Sequence, residues 1–161
     1  LFMGCEFGQS SEWKYDGSLD WHLLQYTDHE GVQRIVRDLN HFYQQNPSLA
    51  QFDNDPQGFQ WINGGDSENS ALSFLRLGKT PQETFAVVAN LTPVPRIGYR
   101  IGIPQAGYWK ELINTNADVY GGTGAGLSGG VVSDPIPWDG REHSLHVDLP
   151  GLSTFILRFE G

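Results

Sequence analysis

Cysteine is almost absent from this chain: among its 161 residues only Cys5 carries a thiol. The chain therefore cannot form an internal disulfide or a metal site of several thiolates, and we expect a reducing, cytoplasmic compartment. Basic residues are also few, with 10 Lys and Arg against 19 Asp and Glu and a formal net charge of −9. This charge argues against nucleic acid or an anionic membrane surface as a partner.

Long apolar runs are missing as well. No stretch approaches the roughly 20 apolar residues that a membrane-spanning helix needs, so we predict no membrane partner. The five histidines show no HxxxH spacing, and we predict neither a bound metal nor any other cofactor. What the chain does have is 39% hydrophobic residues and a charged fraction of only 18%, which is typical of a folded core rather than of a disordered segment.

One stretch has helical periodicity. Its apolar residues recur at intervals of three and four and form a stripe along one helical face: Val32, Ile35, Val36, Leu39, Phe42 and Tyr43. Asp28 is the predicted N-cap, and Pro47 stops the helix because the residue before a proline avoids the α region. The pattern predicts one helix over residues 28–45.

After Pro47 the chain consists of short runs rich in aromatic and β-branched residues, separated by turn residues. These runs are GFQWI, SALSFLRL, ETFAVVANL, GYRIGI, GYWKELIN, GGVVS, SLHVDL and STFILRF. Several of them alternate between apolar and polar residues, so one face would be buried. We predict an antiparallel β-sandwich. Its predicted core comprises Trp61, Phe74, Leu75, Val87, Trp109 and Phe155.

The chain opens with the apolar run Leu1–Met3, which we interpret as the second half of a buried strand that ends at Gly4. A single strand, loop and helix cannot bury their apolar faces alone, but they suit the last unit of a (β/α)8 barrel. We therefore predict a mainly β chain of two parts. Residues 1–50 are the strand-loop-helix end of such a barrel, and residues 51–161 are the all-β sandwich domain.

Several motifs, in the same order along the chain, resemble one known family. LFMGCEFGQSSEW, DGSLDWHLL and GVQRIVRDLN occur in the first part; ENSALSFLR, NLTPVPRIGYRIGIP, ELINTNADVYGGTG and PWDGREHSLHVDLP occur in the second. The first set is similar to the end of the catalytic barrel of bacterial 1,4-α-glucan (glycogen) branching enzymes, of the α-amylase superfamily. The second set resembles the C-terminal β-domain of the same enzymes, so the resemblance covers essentially the whole chain.

The resemblance implies an enzyme that cleaves an α-1,4-linked glucan and transfers the excised piece to a 6-hydroxyl through a covalent glycosyl-enzyme. This chemistry needs two carboxyl groups about 5–5.5 Å apart. In the family the nucleophile, the acid/base and a third carboxylate follow barrel strands four, five and seven, which would all precede Leu1. We therefore predict no catalytic residue in this chain, and we expect α-glucan and the enzyme's own barrel as partners.

Four residues of the first part are candidates for substrate binding: Glu6, Gln9, Trp13 and Asp20. Glu6 would follow a barrel strand at the active-site face and bind a sugar hydroxyl, although a carboxylate that braces its own loop is the favoured alternative. Gln9 and Asp20 have the same two alternatives, and bracing is again favoured. Trp13 is left open between a stacking platform for a glucose ring and a residue of the loop's own core, whereas packing is favoured for Trp21.

Aromatic residues of the second part offer a further binding surface, although a place in the sandwich core is favoured for most of them: Tyr99, Tyr108, Trp109, Tyr120 and Trp138. Two alternatives to a branching enzyme stay open, a stand-alone carbohydrate-binding module and another enzyme of the superfamily.

In an isolated chain the apolar helix stripe would be exposed. We expect it to fray, to pack on the β-domain, or to pair with a second copy. In the last case the chain would self-associate.

Overall fold

A computed structural model of the chain describes residues 2–12 and 14–161. A long helix, α1 (Thr27–Gln45), is followed by a single helical turn, α2 (Ser48–Gln51), and then by strands and three short 3₁₀ turns. The strands are β1 (Phe59–Asp66), β2 (Ala71–Arg76), β3 (Phe85–Asn90), β4 (Arg96–Ile103), β5 (Tyr108–Asn114), β6 (Gly130–Val132), β7 (His143–Leu149) and β8 (Ser153–Phe159). Each of the predicted runs forms one of these strands.

The strands form two antiparallel sheets. One sheet has the order β1-β2-β3-β8-β5-β6, and the other is the pair β4-β7. The inner faces of the two sheets meet in one apolar core, as expected for a sandwich. Its members are Ile62, Leu75, Ala86, Val88, Ile101, Ile103, Trp109, Leu145, Val147, Leu149, Phe155, Leu157 and Phe159. The predicted sandwich is thereby confirmed.

The outer face of the large sheet is also apolar, and it explains where the predicted core was wrong. Phe74, Val87 and Ile156 stand opposite one another across β2, β3 and β8, between neighbours that point into the core. These three side chains are therefore on the outer face and only partly buried. Trp61 pairs with Phe74 at the edge strand β1 and is 54% exposed. An edge strand has one neighbour only, so its outward side chains lack cover on one side.

Helix α1 crosses part of this outer face. The ring of Phe42 meets the ring of Phe85 edge-on, with centroids 5.6 Å apart. Leu39, Phe42 and Leu49 form one side of a cavity of about 340 Å³, and Phe85, Val87 and Ile156 form the other. The helix begins at Thr27, with Tyr26 in the cap position and no side-chain cap. The predicted N-cap Asp28 was wrong, because this carboxylate lies inside the first turn.

A second contact joins α1 to the loop after β5. Gly31 is buried against the backbone of Tyr120, so close that a Cβ atom there would lie 2.3 Å from the Tyr120 carbonyl oxygen. Arg34 donates to the carbonyl oxygen of Val119 at 2.9 Å, and the Tyr120 hydroxyl donates to Asp38 at 2.9 Å. The helix therefore docks on the sandwich through specific contacts rather than fraying from it.

The predicted strand at the start of the chain is not observed. Leu1 lies outside the described residues, and Met3 and Gly4 form a turn with φ values of 37° and 96°. The next residues, Cys5–Phe7, form a short 3₁₀ helix. A parallel strand is held by hydrogen bonds to neighbouring strands, and within residues 2–12 and 14–161 neither sheet includes this segment. No helix in these ranges combines the length and the apolar character needed to cross a membrane.

Candidate functional site

The loop that carries the predicted binding residues is built on a short 3₁₀ turn. Gly4 and Gly8 flank Cys5–Phe7 in left-handed conformations, which glycine adopts without steric cost. Phe7 is fully buried and its ring lies 5.1 Å from that of Trp21. Trp21 thus packs on Phe7 with part of its ring, but it stays 50% exposed, so the packing role favoured for it stays a prediction.

The loop is tied to helix α1 as well as to itself. His29 donates from Nδ1 to the carbonyl oxygen of Phe7 at 2.8 Å, because a carbonyl can only accept. The Glu6 carboxylate accepts from the backbone N–H of Gly4 at 3.0 Å, which is the contact a bracing residue makes. Glu6 thus holds the tight turn that precedes it.

Gln9 and Asp20 meet in one hydrogen-bond network. The Gln9 side-chain oxygen accepts from the Asp20 backbone N–H at 2.9 Å, and its amide nitrogen donates to the Ser11 carbonyl at 3.0 Å. The Ser11 hydroxyl donates to the Asp20 carboxylate at 2.8 Å. The structure therefore brings Gln9 and Asp20 together, 11 positions apart in the chain, as mutual supports. Trp13, the fourth predicted residue, lies outside the described residues.

Two tyrosine–aspartate pairs surround the docked helix. Burial and the bond to Asp38 raise the pKa of Tyr120 to about 12, so this hydroxyl remains a donor at neutral pH. Burial alone would raise the pKa of Asp38, but hydrogen bonds from Tyr120 and Arg37 lower it overall. Asp53 accepts from Tyr43 at 2.7 Å and from Arg76 at 2.5 Å, and these bonds hold its pKa below the usual range. Both carboxylates are thus ionised at neutral pH, Asp38 on the helix and Asp53 beyond its end.

The candidate aromatic residues of the sandwich differ in whether a ligand could reach them. Trp109 is fully buried and offers no face to a ligand, and the hydroxyl of the half-buried Tyr120 donates to Asp38. Tyr99 and Trp138, 39 positions apart, line one cleft of about 560 Å³. Tyr99 also packs against the sandwich core, as the core interpretation predicts, whereas Trp138 is 48% exposed and lies outside it.

The polar side of this cleft was also missed by sequence reasoning. The Tyr99 hydroxyl donates to Asp66 at 2.8 Å, and Asp66 also accepts from the backbone and side-chain amides of Asn69. Asp66 and Asn69 stand in the turn NGGDSENS, where such residues are typical of turn formation. The pairing of Asp66 with Tyr99, 33 positions away, has no local signal in the sequence.

Comparison with known proteins places this architecture in a family. Residues 61–160 match the model of the alpha amylase C-terminal all-beta domain. The chain belongs to the alpha amylase C-terminal all-beta domain family. The family match spans β1 to β8 from Trp61 onward, so the cleft with Tyr99 and Trp138 lies wholly within the all-beta domain.

Curated relatives of this all-beta domain chain are similar over its whole length. A 1,4-alpha-glucan branching enzyme of Aquifex aeolicus is 51% identical over 161 residues, which is 100% of this chain and 26% of the relative. One of Pseudomonas fluorescens is 50% identical over 160 residues, or 99% of this chain and 21% of the relative. The chain thus spans about a quarter of the length of the curated relatives that it matches.

Proposed function

We propose that this chain is the C-terminal part of a 1,4-α-glucan branching enzyme. Such an enzyme cleaves an α-1,4-glucan and transfers the piece to a 6-hydroxyl, making the α-1,6 branches of glycogen in the cytoplasm. The observation that carries the proposal is the 51% identity to a protein of that name over all 161 residues. That similarity runs through the loop and helix α1 as well as through the all-beta domain.

Within that enzyme we assign a supporting role to this part of the chain. Contacts of Gly31, Arg34 and Phe42 with the sandwich support a rigid connection between the helix and the all-beta domain. A domain fixed in this way would stabilise the barrel and guide the glucan. Glu6, Gln9, Trp13 and Asp20 stay predictions as glucan contacts, and we propose that the catalytic carboxylates lie outside this chain.

Incubation with amylose tests the proposal. The complete gene product that contains this chain is expected to generate α-1,6 anomeric signals in the proton NMR spectrum without a matching rise in reducing ends. The 161-residue chain alone is expected to generate none. A rise in reducing ends without new branches would identify a hydrolase of the superfamily instead, and branching by the isolated chain would contradict the absence of catalytic residues.

A carbohydrate-binding module is the second candidate function. The observation that favours it is the shared cleft of Tyr99 and Trp138, which offers aromatic surface beside polar groups. Affinity electrophoresis separates the two functions when the complete gene product is compared with the chain. Strong retardation of both in glycogen-containing gels, with no branching activity in either, would favour the module.

We also propose that the isolated chain self-associates through the helix stripe. Val32 and Tyr43 remain 37% and 45% exposed although α1 is docked, so part of the stripe stays open to solvent. Sedimentation velocity over a range of concentrations is expected to show a dimer that Val32→Glu abolishes. A single monomeric species at every concentration would contradict the proposal.

A further inference from the structure

The cleft with Tyr99 and Trp138 has the dimensions of a small-molecule site. Its volume of about 560 Å³ lies within the range of roughly 300–1,000 Å³ typical of ligand pockets. Strand β4 and the residue before it contribute one part of its lining, the end of β1 with the turn after it another, and the segment after β6 a third. Three separate parts of the sandwich therefore converge on one concave surface.

Local backbone geometry keeps this cleft open. The pairing of β4 with β7 shifts register between Arg96 and Tyr99, and Gly98 within this irregularity has a φ of 68°. Its backbone N–H is held by the Asp148 carboxylate at 2.7 Å. Irregularities of this kind bend a strand and redirect its side chains. The bend turns Tyr99 towards the turn that contains Asp66.

Backbone hydrogen bonds fix the position of Trp138 at the rim of the cleft. Trp138 and Arg141 exchange two backbone hydrogen bonds of 2.9 Å, which close a tight loop. Asp139 accepts from the backbone N–H of Gly102 at 3.0 Å, and a Cβ atom at Gly102 would lie 2.1 Å from the Trp138 carbonyl oxygen. The loop is thus clamped to β4, while the indole remains 48% exposed. An aromatic surface fixed before binding costs little entropy to use.

The charges of the cleft select the kind of ligand. Asp66 and Asp139 are its carboxylates, and Arg96 and Arg100 are its guanidinium groups, so the formal charges cancel. Arg100 is already paired with Asp134 at 2.8 Å. A balanced lining gives no net attraction to a phosphate or to a polycation. Carboxylates, amides and guanidinium groups beside an indole suit a neutral ligand with many hydroxyls.

We propose that this cleft binds an α-1,4-glucan chain, with Trp138 as the platform under a glucose ring and Asn63 and Asp139 facing its hydroxyls. The choice of an α-1,4-glucan rests on the proposed function. The site lies within the all-beta domain, so it would hold a glucan at a place other than the barrel.

Isothermal titration of the 161-residue chain with maltoheptaose tests this site. Trp138→Ala is expected to weaken binding roughly tenfold or more, as removal of a central aromatic contact does. Trp61→Ala is the matched control, because Trp61 is half exposed on the same domain, at 54%, but does not line the cleft. The control is expected to bind like the unaltered chain. Equal binding by Trp138→Ala and the unaltered chain, or equal losses in both variants, would overturn the proposal.

A second measurement needs no destabilising substitution. The indole N–H signal of Trp138, assigned with Trp138→Phe, is expected to move in the NMR spectrum when maltoheptaose is added to the unaltered chain. A stationary signal at saturating sugar would overturn the site. If the complete gene product still branches amylose in that case, the site fails and the proposed enzyme stands. If instead the sugar moves the Trp138 signal but the complete gene product does not branch amylose, the site stands and the proposed enzyme fails.

Discussion

Gln9 satisfies both ends of its side-chain amide with backbone partners of its own loop, the N–H of Asp20 and the carbonyl of Ser11. A sugar hydroxyl would have to displace one of these bonds before it could bind. Each such bond contributes about 1 kcal/mol where water is excluded, and less in a loop that is open to solvent. At the scale of the residue, then, bracing competes directly with binding.

Gln9→Ala is expected to loosen this loop without unfolding the molecule. Loss of the acceptor leaves the Asp20 amide without its partner, so its hydrogen exchange should become faster. The free energy of unfolding should fall by no more than about 1 kcal/mol, because hydrogen bonds in a loop open to solvent contribute less than buried ones. Gln25→Ala is the control, because Gln25 is exposed and takes no part in the hydrogen bonds of Gln9, Ser11 and Asp20. Unchanged exchange at Asp20 in Gln9→Ala would show that Gln9 does not brace the loop.

Tyr99→Phe is expected to make stability depend less on pH. Burial would raise the pKa of Asp66, but hydrogen bonds from Asn69 and Tyr99 outweigh it and lower the pKa. A lowered pKa contributes stability above the unfolded value, near 3.9, and that stability is lost as the pH falls through the folded pKa. The variant should therefore lose about 1 kcal/mol at pH 7, and less near pH 3. Urea unfolding at both values measures this. An equal loss at pH 3 and pH 7 would contradict the role of the ionised carboxylate.

Helix α1 makes its closest approach to the sandwich at Gly31, and a single methyl group tests that contact. Replacing an interior helical glycine by alanine usually stabilises a helix by roughly 0.5–1 kcal/mol. Here the new Cβ atom would lie 2.3 Å from the Tyr120 carbonyl oxygen, which is backbone and cannot rotate away. Gly31→Ala should therefore destabilise the chain by roughly 1–3 kcal/mol.

Chemical denaturation followed by circular dichroism gives the free energy of unfolding for Gly31→Ala. Gln44→Ala serves as the control, because Gln44 is exposed in the last turns of the same helix and should show only the small gain of helix propensity. If Gly31→Ala proves as stable as this control, α1 does not depend on the contact with Tyr120.

The elements themselves were largely predictable, because each is encoded locally. The alternation in STFILRF places Phe155 in the core and Ile156 on the outer face whatever surrounds the strand. The apolar stripe of α1 is equally local. The predictions that were wrong or missing concern residues whose surroundings are set by strands distant in the sequence. Trp61 is exposed because β1 lies at the sheet edge, and the cleft pairs Asp66 of β1 with Tyr99 of β4, three connections later in the chain. Strand order and side-chain pairing of this kind leave no periodic signal.

At the scale of the whole molecule, α1 and the sandwich share one apolar layer. Phe85, Val87 and Ile156 point away from the sandwich core and are covered by the second half of the helix. The predicted boundary at residues 50 and 51 would therefore separate two surfaces that bury each other. The 161 residues should behave as one cooperative unit, because neither surface is stable in water alone.

Residues 51–161 expressed alone test this interdependence. Uncovering the outer face should cost roughly 3 kcal/mol of unfolding free energy, since a fully buried aliphatic side chain contributes about 1.5–3 kcal/mol. The shortened chain should also bind a hydrophobic dye that the 161-residue chain excludes. The double variant Val87→Thr with Ile156→Thr should reduce dye binding by the shortened chain, because both positions are exposed to water there. The same double variant should destabilise the 161-residue chain, because helix α1 covers both positions in it. A shortened chain that keeps full stability and excludes the dye would mean that the sandwich does not need the helix.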